Sequence, residues 1–215
     1  LVSRSAGATA LSTGSVSADG VADAPVSEPE RREALGHLGR VAELVEADDE
    51  FLLNSGARLR CTLPSRNHAG GGLASLVDRS VCVVGIPGLA AFNAAYLARV
   101  LGDRSIRARH VDVVLEGVKR TFDLTSFPVA RALDDTSLAS RWVEAVAREV
   151  STVPTDVVAL PPVMGLQNHR AIRKLLDETL EIPWFETLAS PPSVPGIRLW
   201  LNLNQYVRDE GVTLL

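Results

Sequence analysis

The stretch SVCVVGIPGLAAFNAAYLARVL, residues 80–101, decides the fold class. Val81, Cys82, Val83 and Val84 form an unbroken apolar run, the pattern of a strand covered on both faces. Gly85-Ile86-Pro87-Gly88 follows as a tight turn, and residues 89–101, rich in Ala and Leu, read as a helix. Strand, glycine turn and helix in that order form the repeating unit of a parallel α/β sheet.

The pattern continues downstream. Residues 108–115 read as a strand through Val111, Val113 and Val114, and residues 135–150 as a helix carrying Leu138, Trp142, Val143, Val146 and Val150. Between them, residues 121–133, with Phe122, Phe127 and Pro128, read as a long connection. DVVAL at 156–160 is a further buried strand, closed by Pro161-Pro162. Gly165 opens a turn, residues 168–180 read as a helix, and residues 182–187 as a strand. The fold class expected is α/β with a largely parallel sheet. Sheets of this kind bind ligands outside the carboxyl ends of their strands, which directs attention to the loops at 85–88, 161–169 and 190–196.

Residues 1–27 are small and polar and read as loop. From Glu28 onward Leu35, Leu38, Val41, Ala42 and Val45 recur at helical steps, with Ser27 and Glu30 spaced as a capping box around Pro29. This helix, or helix pair, is expected to end at Asn54-Ser55-Gly56, and the acidic run Glu46, Asp48, Asp49, Glu50 to be its solvated face. Residues 57–63 alternate as a half-buried strand, residues 64–72 are turn material, and residues 73–77 fit a short returning strand. Near the end, residues 190–196 form a rigid proline-rich loop, residues 197–210 a helix, and residues 212–215 the start of a strand.

Composition narrows the function classes. A chain of 215 residues, 46% hydrophobic, can bury a real core. Lys and Arg number 22 against 26 Asp and Glu, a net charge of −4, which disfavours a strongly basic nucleic-acid binder. No apolar run approaches the ~18 residues of a spanning helix, and no secretory signal opens the chain. Two cysteines and four histidines leave little room for a structural zinc site, and Cys61 and Cys82 read as reduced thiols. The first residue is Leu1 and the single methionine is Met164, so the chain is expected to be a piece of a longer one.

Four stretches are candidates for chemistry. Gly85-x-x-Gly88 could offer N–H groups to an anion, or could simply allow close packing; it is neither G-x-G-x-x-G nor a Walker loop. Gln167-Asn168-His169-Arg170 sits at a helix start, where Asn168 could cap and His169 could serve as acid or base. His37, His68 and His110 have no partner at metal-ligand spacing and read as surface or loop residues. Ser12-Thr13-Gly14-Ser15 clusters hydroxyls around a glycine. In Pro191-Pro192-Ser193-Val194-Pro195-Gly196-Ile197-Arg198, the cation of Arg198 falls early in a helix, against the macrodipole, which is easier to understand if it faces an anion; the other reading is a rigid connector followed by a surface Arg.

LVSRSAGATALSTGS, VCVVGIPGLAAF, DVVALPPVMGL and above all LASPPSVPGIRL occur in an order that resembles the B subunit of anaerobic glycerol-3-phosphate dehydrogenase, within the FAD-dependent oxidoreductase group. The resemblance implies a Rossmann-like flavin-binding domain interrupted by an inserted α/β domain. Residues 1–55 would be the N-terminal part of the flavin domain, residues 56–187 the insertion, and residues 188–215 the return. The first Rossmann strand would precede Leu1. The reaction implied is oxidation of sn-glycerol 3-phosphate to dihydroxyacetone phosphate, with electrons passed toward a quinone. The cofactor implied is FMN or FAD; Ser3-Arg4 stand where an acidic residue usually holds the adenosine ribose, which suits FMN. Thr13, Gly14 and Ser15 would lie near the flavin, and Ser193, Gly196 and Arg198 near the substrate, with Arg198 its anion contact. The implied partners are a FAD-containing catalytic subunit and an iron–sulfur membrane-anchoring subunit, in the cytoplasm or on the inner face of the cell membrane. Two other readings remain: a related flavoenzyme acting on another small molecule, and a non-catalytic docking subunit.

Overall fold

The computed structural model describes residues 43–118 and 124–211, together with Pro29, Glu33, Gly36 and Gly39. Those four residues are helical. Ser12, Thr13, Gly14, Ser15, the capping box, His37, Phe122 and the strand expected at 212–215 lie outside the described residues.

The chain builds an α/β body around a four-stranded parallel sheet of order β4-β3-β5-β6. β3 spans Ser80–Gly85, β4 Arg107–Asp112, β5 Val157–Leu160 and β6 Trp184–Glu186. The inner strands β3 and β5 carry the continuous apolar runs and are buried along nearly their whole length, whereas edge strand β4 is largely exposed. The connections are α2 (Ala94–Gly102), then α3 (Ser126–Leu133) with α4 (Thr136–Val150), then α5 (His169–Leu180). α4 buries Trp142, Val143 and Val146, and α5 buries Ile172 and Leu176, at the spacing of one helix face. Neighbouring strands leave β3 in opposite directions, to β4 on one side and β5 on the other. This is a topological switch point compatible with a Rossmann-like arrangement.

An antiparallel hairpin precedes this sheet: β1 (Asp49–Leu52) paired with β2 (Arg58–Cys61). It corrects the helix expected to reach Asn54-Ser55-Gly56, which instead form the hairpin turn, with Gly56 at φ +83°. The acidic run is resolved by strand periodicity, because Arg58 pairs with Glu50 and Arg60 with Asp48 across the hairpin. Asp49 turns the other way and accepts the Ala74 N–H. Leu188 ties the hairpin to the main sheet: its N–H donates to Leu52 O, its carbonyl accepts from Asn54 N, and its side chain packs with Phe51, Leu53 and Cys61.

Other boundaries differ from the sequence expectation for local reasons. Arg66–Ala69 form a short helix, α1, within the segment read as turn. Leu73–Leu76 form a 3-10 turn rather than a strand. α2 starts at Ala94, not at residue 89, because Asn93 caps it by accepting the Tyr96 N–H; the preceding residues bridge to Leu124 instead. The long connection read at 121–133 contains α3. The last helix, α6 (Val194–Asp209), begins inside the proline-rich segment. Ser193 caps it, and Pro195 is tolerated in the first turn, where backbone N–H groups need no helical acceptor.

Candidate functional site

Two connections leave the carboxyl ends of the inner strands, after β3 and after β5, where an anion would be expected, and both meet carboxylates of the chain itself. After β3, Gly85 lies so close to Asp112 that an added Cβ would fall 2.3 Å from Asp112 Oδ1 and 3.0 Å from Ala94 Cβ. The glycine therefore serves close packing. Before α5, Asp134 Oδ1 accepts from the N–H groups of Leu166, Gln167 and Asn168 at 2.9, 3.0 and 2.9 Å. Asn168 stands at the N-cap position of α5 but makes no side-chain cap bond; its Nδ2 donates to Asp134 O instead. After β5, the Met164 N–H donates to Glu186 Oε1 at 2.9 Å.

Glu186 is the centre of the third group. It ends β6 and is 1% exposed, a position that a carboxylate holds only when fully bonded. Arg198, 5% exposed, reaches back from α6 and donates from Nη1 to Oε2 at 2.8 Å and from Nη2 to Oε1 at 2.6 Å. Asn67 Nδ2 adds a bond to Oε2. Burial alone would raise the Glu186 carboxyl, but the Arg198 charge and hydrogen bonds, with Met164 N–H, hold it below the usual carboxylate range.

Beside this pair lies a cavity of about 40 Å³, lined among others by Glu43, Ser65, His68, His169 and Arg198. His68, expected at the surface or in a loop, is buried, with Nδ1 2.6 Å from Ser65 Oγ. Burial is the largest reason that both His68 and His169 are lowered to about 4; Arg198 pushes both the same way and Glu186 opposes it. Both imidazoles are neutral at pH 7, so neither is poised to share a proton there. At the cavity edge Glu43 pairs with Arg173 and, at 3.2 Å, with Arg170; those arginines hold its carboxyl below its usual range against the raising effect of burial.

The residues that the sequence nominated for substrate are therefore placed as follows. Ser193 caps α6, Gly196 donates its N–H to Ser193 Oγ, and Arg198 is not a surface residue but faces an anion, Glu186. His169 and Arg198 come together at one cavity. Sequence reading missed Glu186, His68 and Glu43 there. An isolated acid at the end of a short apolar strand, Trp184-Phe185-Glu186, is the signal that could have found Glu186; nothing local marks His68.

A wider groove of about 880 Å³ runs between α3, the loop before α5 and α6, flanked by Phe127, Pro128, Leu166, Ile197 and Leu201. Its residues could flank a planar ring. The N–H groups of Leu166 and Gln167 at its edge already donate to Asp134. Burial raises Cys82 to about 11 and Cys61 above its usual value, so neither thiol supplies a nucleophile at neutral pH. Among the described residues there is no metal-suited cluster of three or more His, Cys, Asp or Glu, and no helix long and apolar enough to cross a membrane. The chain matches no protein-family model and no solved structure.

Proposed function

We propose that this chain is part of a flavin-dependent dehydrogenase that oxidises sn-glycerol 3-phosphate to dihydroxyacetone phosphate and passes the electrons toward a quinone. In this reading residues 56–187 are an α/β insertion into a flavin-binding domain to which residues 1–55 and 188–215 contribute. Bound flavin would supply the hydride chemistry, held by residues outside the described ones, Thr13, Gly14 and Ser15 among them. The supporting observation is the construction of LASPPSVPGIRL, the stretch that most resembles the dehydrogenase B subunit. It is a junction in which Ser193 starts α6 and Arg198 locks that helix to Glu186 of the sheet. The test is the visible absorption spectrum of the full-length protein, with the released flavin identified as FMN or FAD. Reduction of an artificial acceptor by glycerol 3-phosphate completes it. A folded, colourless protein that neither flavin reconstitutes would end the reading.

One observation favours a second reading, in which the α/β body only docks partner subunits. At the carboxyl ends of its strands Asp112 packs against Gly85, and Asp134 and Glu186 accept loop N–H groups that a ligand could otherwise take. Co-purification with a FAD-containing subunit and an iron–sulfur subunit, without turnover by this chain, would favour docking.

A further inference from the structure

The cavity beside the Arg198–Glu186 pair brings three buried nitrogens together without hydrogen-bond partners among the described residues: His68 Nε2, His169 Nδ1 and Arg198 Nε. They come from α1, the start of α5 and α6, so the cluster is assembled by the tertiary fold rather than by any one element. Leaving one such group unbonded costs about 1–3 kcal/mol, and three at one cavity are exceptional.

The chemistry of these atoms selects the ligand. Arg198 Nε can only donate. If the Ser65 hydroxyl donates to His68 Nδ1, His68 Nε2 carries the proton and donates as well. His169 Nδ1 donates in one of its two neutral tautomers. A cation is disfavoured by the Arg198 guanidinium. The charges around the cavity point the same way: Arg198 and Glu186 cancel, and Arg66, Arg170 and Arg173 outweigh Glu43. A cavity of about 40 Å³ takes a few water-sized groups, the scale of one small head group, not of a nucleotide.

We propose that this cavity binds a small oxyanion, a phosphate- or carboxylate-type group, through His68, His169 and Arg198. The site is independent of any flavin. An anion there favours the charged imidazoles, so binding draws a proton onto His68 or His169 and tightens as pH falls; Arg198, Arg170 and Arg66 oppose that protonation, while Glu186 and Glu43 assist it.

The experiment titrates the full chain with inorganic phosphate and, separately, with acetate, at constant ionic strength set by chloride. Imidazole nitrogen resonances are read by NMR. Saturable shifts of His68 and His169 with phosphate support the site for phosphate-type groups, and shifts with acetate alone assign it to carboxylates. His169→Ala, at a half-buried position, should weaken binding about tenfold while the protein stays folded. No shift with either anion, identical shifts with chloride alone, or unaltered affinity in folded His169→Ala would overturn the proposal. Because the NMR arm uses the unsubstituted protein, an unstable variant does not blunt the test.

Discussion

Arg198 and Glu186 form a two-pronged ion pair at the junction of α6 with the sheet, with nitrogen–oxygen distances of 2.8 and 2.6 Å and both side chains buried. Neither charge can be left alone there. Arg198→Ala should lower stability by about 3–5 kcal/mol, because the Glu186 carboxylate would remain buried against a lost partner. Arg198→Ala with Glu186→Gln should cost clearly less than the two single changes added together. Urea denaturation of the four proteins measures both quantities. Additive losses would show that the two side chains do not depend on each other.

The buried histidines set a pH window. His68 and His169 lie at about 4 in the folded chain, against ~6.5 for an unperturbed imidazole. Between those values the unfolded chain binds protons that the folded chain does not, so stability is full above the unfolded value and falls as pH drops toward 4. The slope contributed by His68 should approach about 1.4 kcal/mol per pH unit in the middle of the window, and His169, less buried, should add less. Glu186, whose folded carboxyl is lowered, adds a further loss only below ~4.3, its unperturbed value. Urea midpoints measured across the window test this. A profile as flat in the parent as in His68→Gln would remove the buried imidazole as its cause.

The parts legible in the sequence were those governed by long apolar periodicity. The β3 run Val81–Val84, the α4 face through Trp142 and Val146, and the α5 face through Ile172 and Leu176 each announce their element without help from elsewhere. Short strands with a clear apolar pattern, β2, β5 and β6, were legible too, but β1, α1 and the 3-10 turn at Leu73–Leu76 were not, since a four-residue strand and a helical turn look alike. Residues 49–52 form β1 against β2, where Arg58 and Arg60 reach diagonally to Glu50 and Asp48, a relationship visible only once the hairpin exists. The candidate site was half legible. That Arg198 faces an anion was one of two readings its place in the helix allowed, the other being a surface Arg. That the anion is Glu186, twelve residues away, and that His68 joins it from an unremarkable turn, depends on how α1 meets β6.

Gly85 gives a steric prediction. Its φ is not in the left-handed region, so Ala there is disfavoured by contact alone, with Asp112 Oδ1 at 2.3 Å and Ala94 Cβ at 3.0 Å from the new methyl. Gly85→Ala should destabilise by about 1–3 kcal/mol. Adding Asp112→Ala should return most of that loss, because the nearer contact disappears and the farther one needs only a few tenths of an ångström. Thermal unfolding of the single and double variants decides the matter. A double variant no more stable than Gly85→Ala would place the strain against α2 instead.

Asp134 provides the sharpest test of the claim that the chain fills its own anion positions. One oxygen accepts three consecutive N–H groups in the loop just before α5, so those three donors are already taken. Asp134→Ala should cost about 2 kcal/mol, because three loop N–H groups lose their shared charged acceptor. Asp134→Asn keeps an acceptor without the charge and should cost about half as much. Hydrogen exchange should localise the loss, with the amides of Leu166, Gln167 and Asn168 exchanging faster in Asp134→Ala while those of β3 follow global stability. Unchanged protection at those three amides would mean that water replaces the carboxylate without loss, and the loop before α5 would then be open to an external anion.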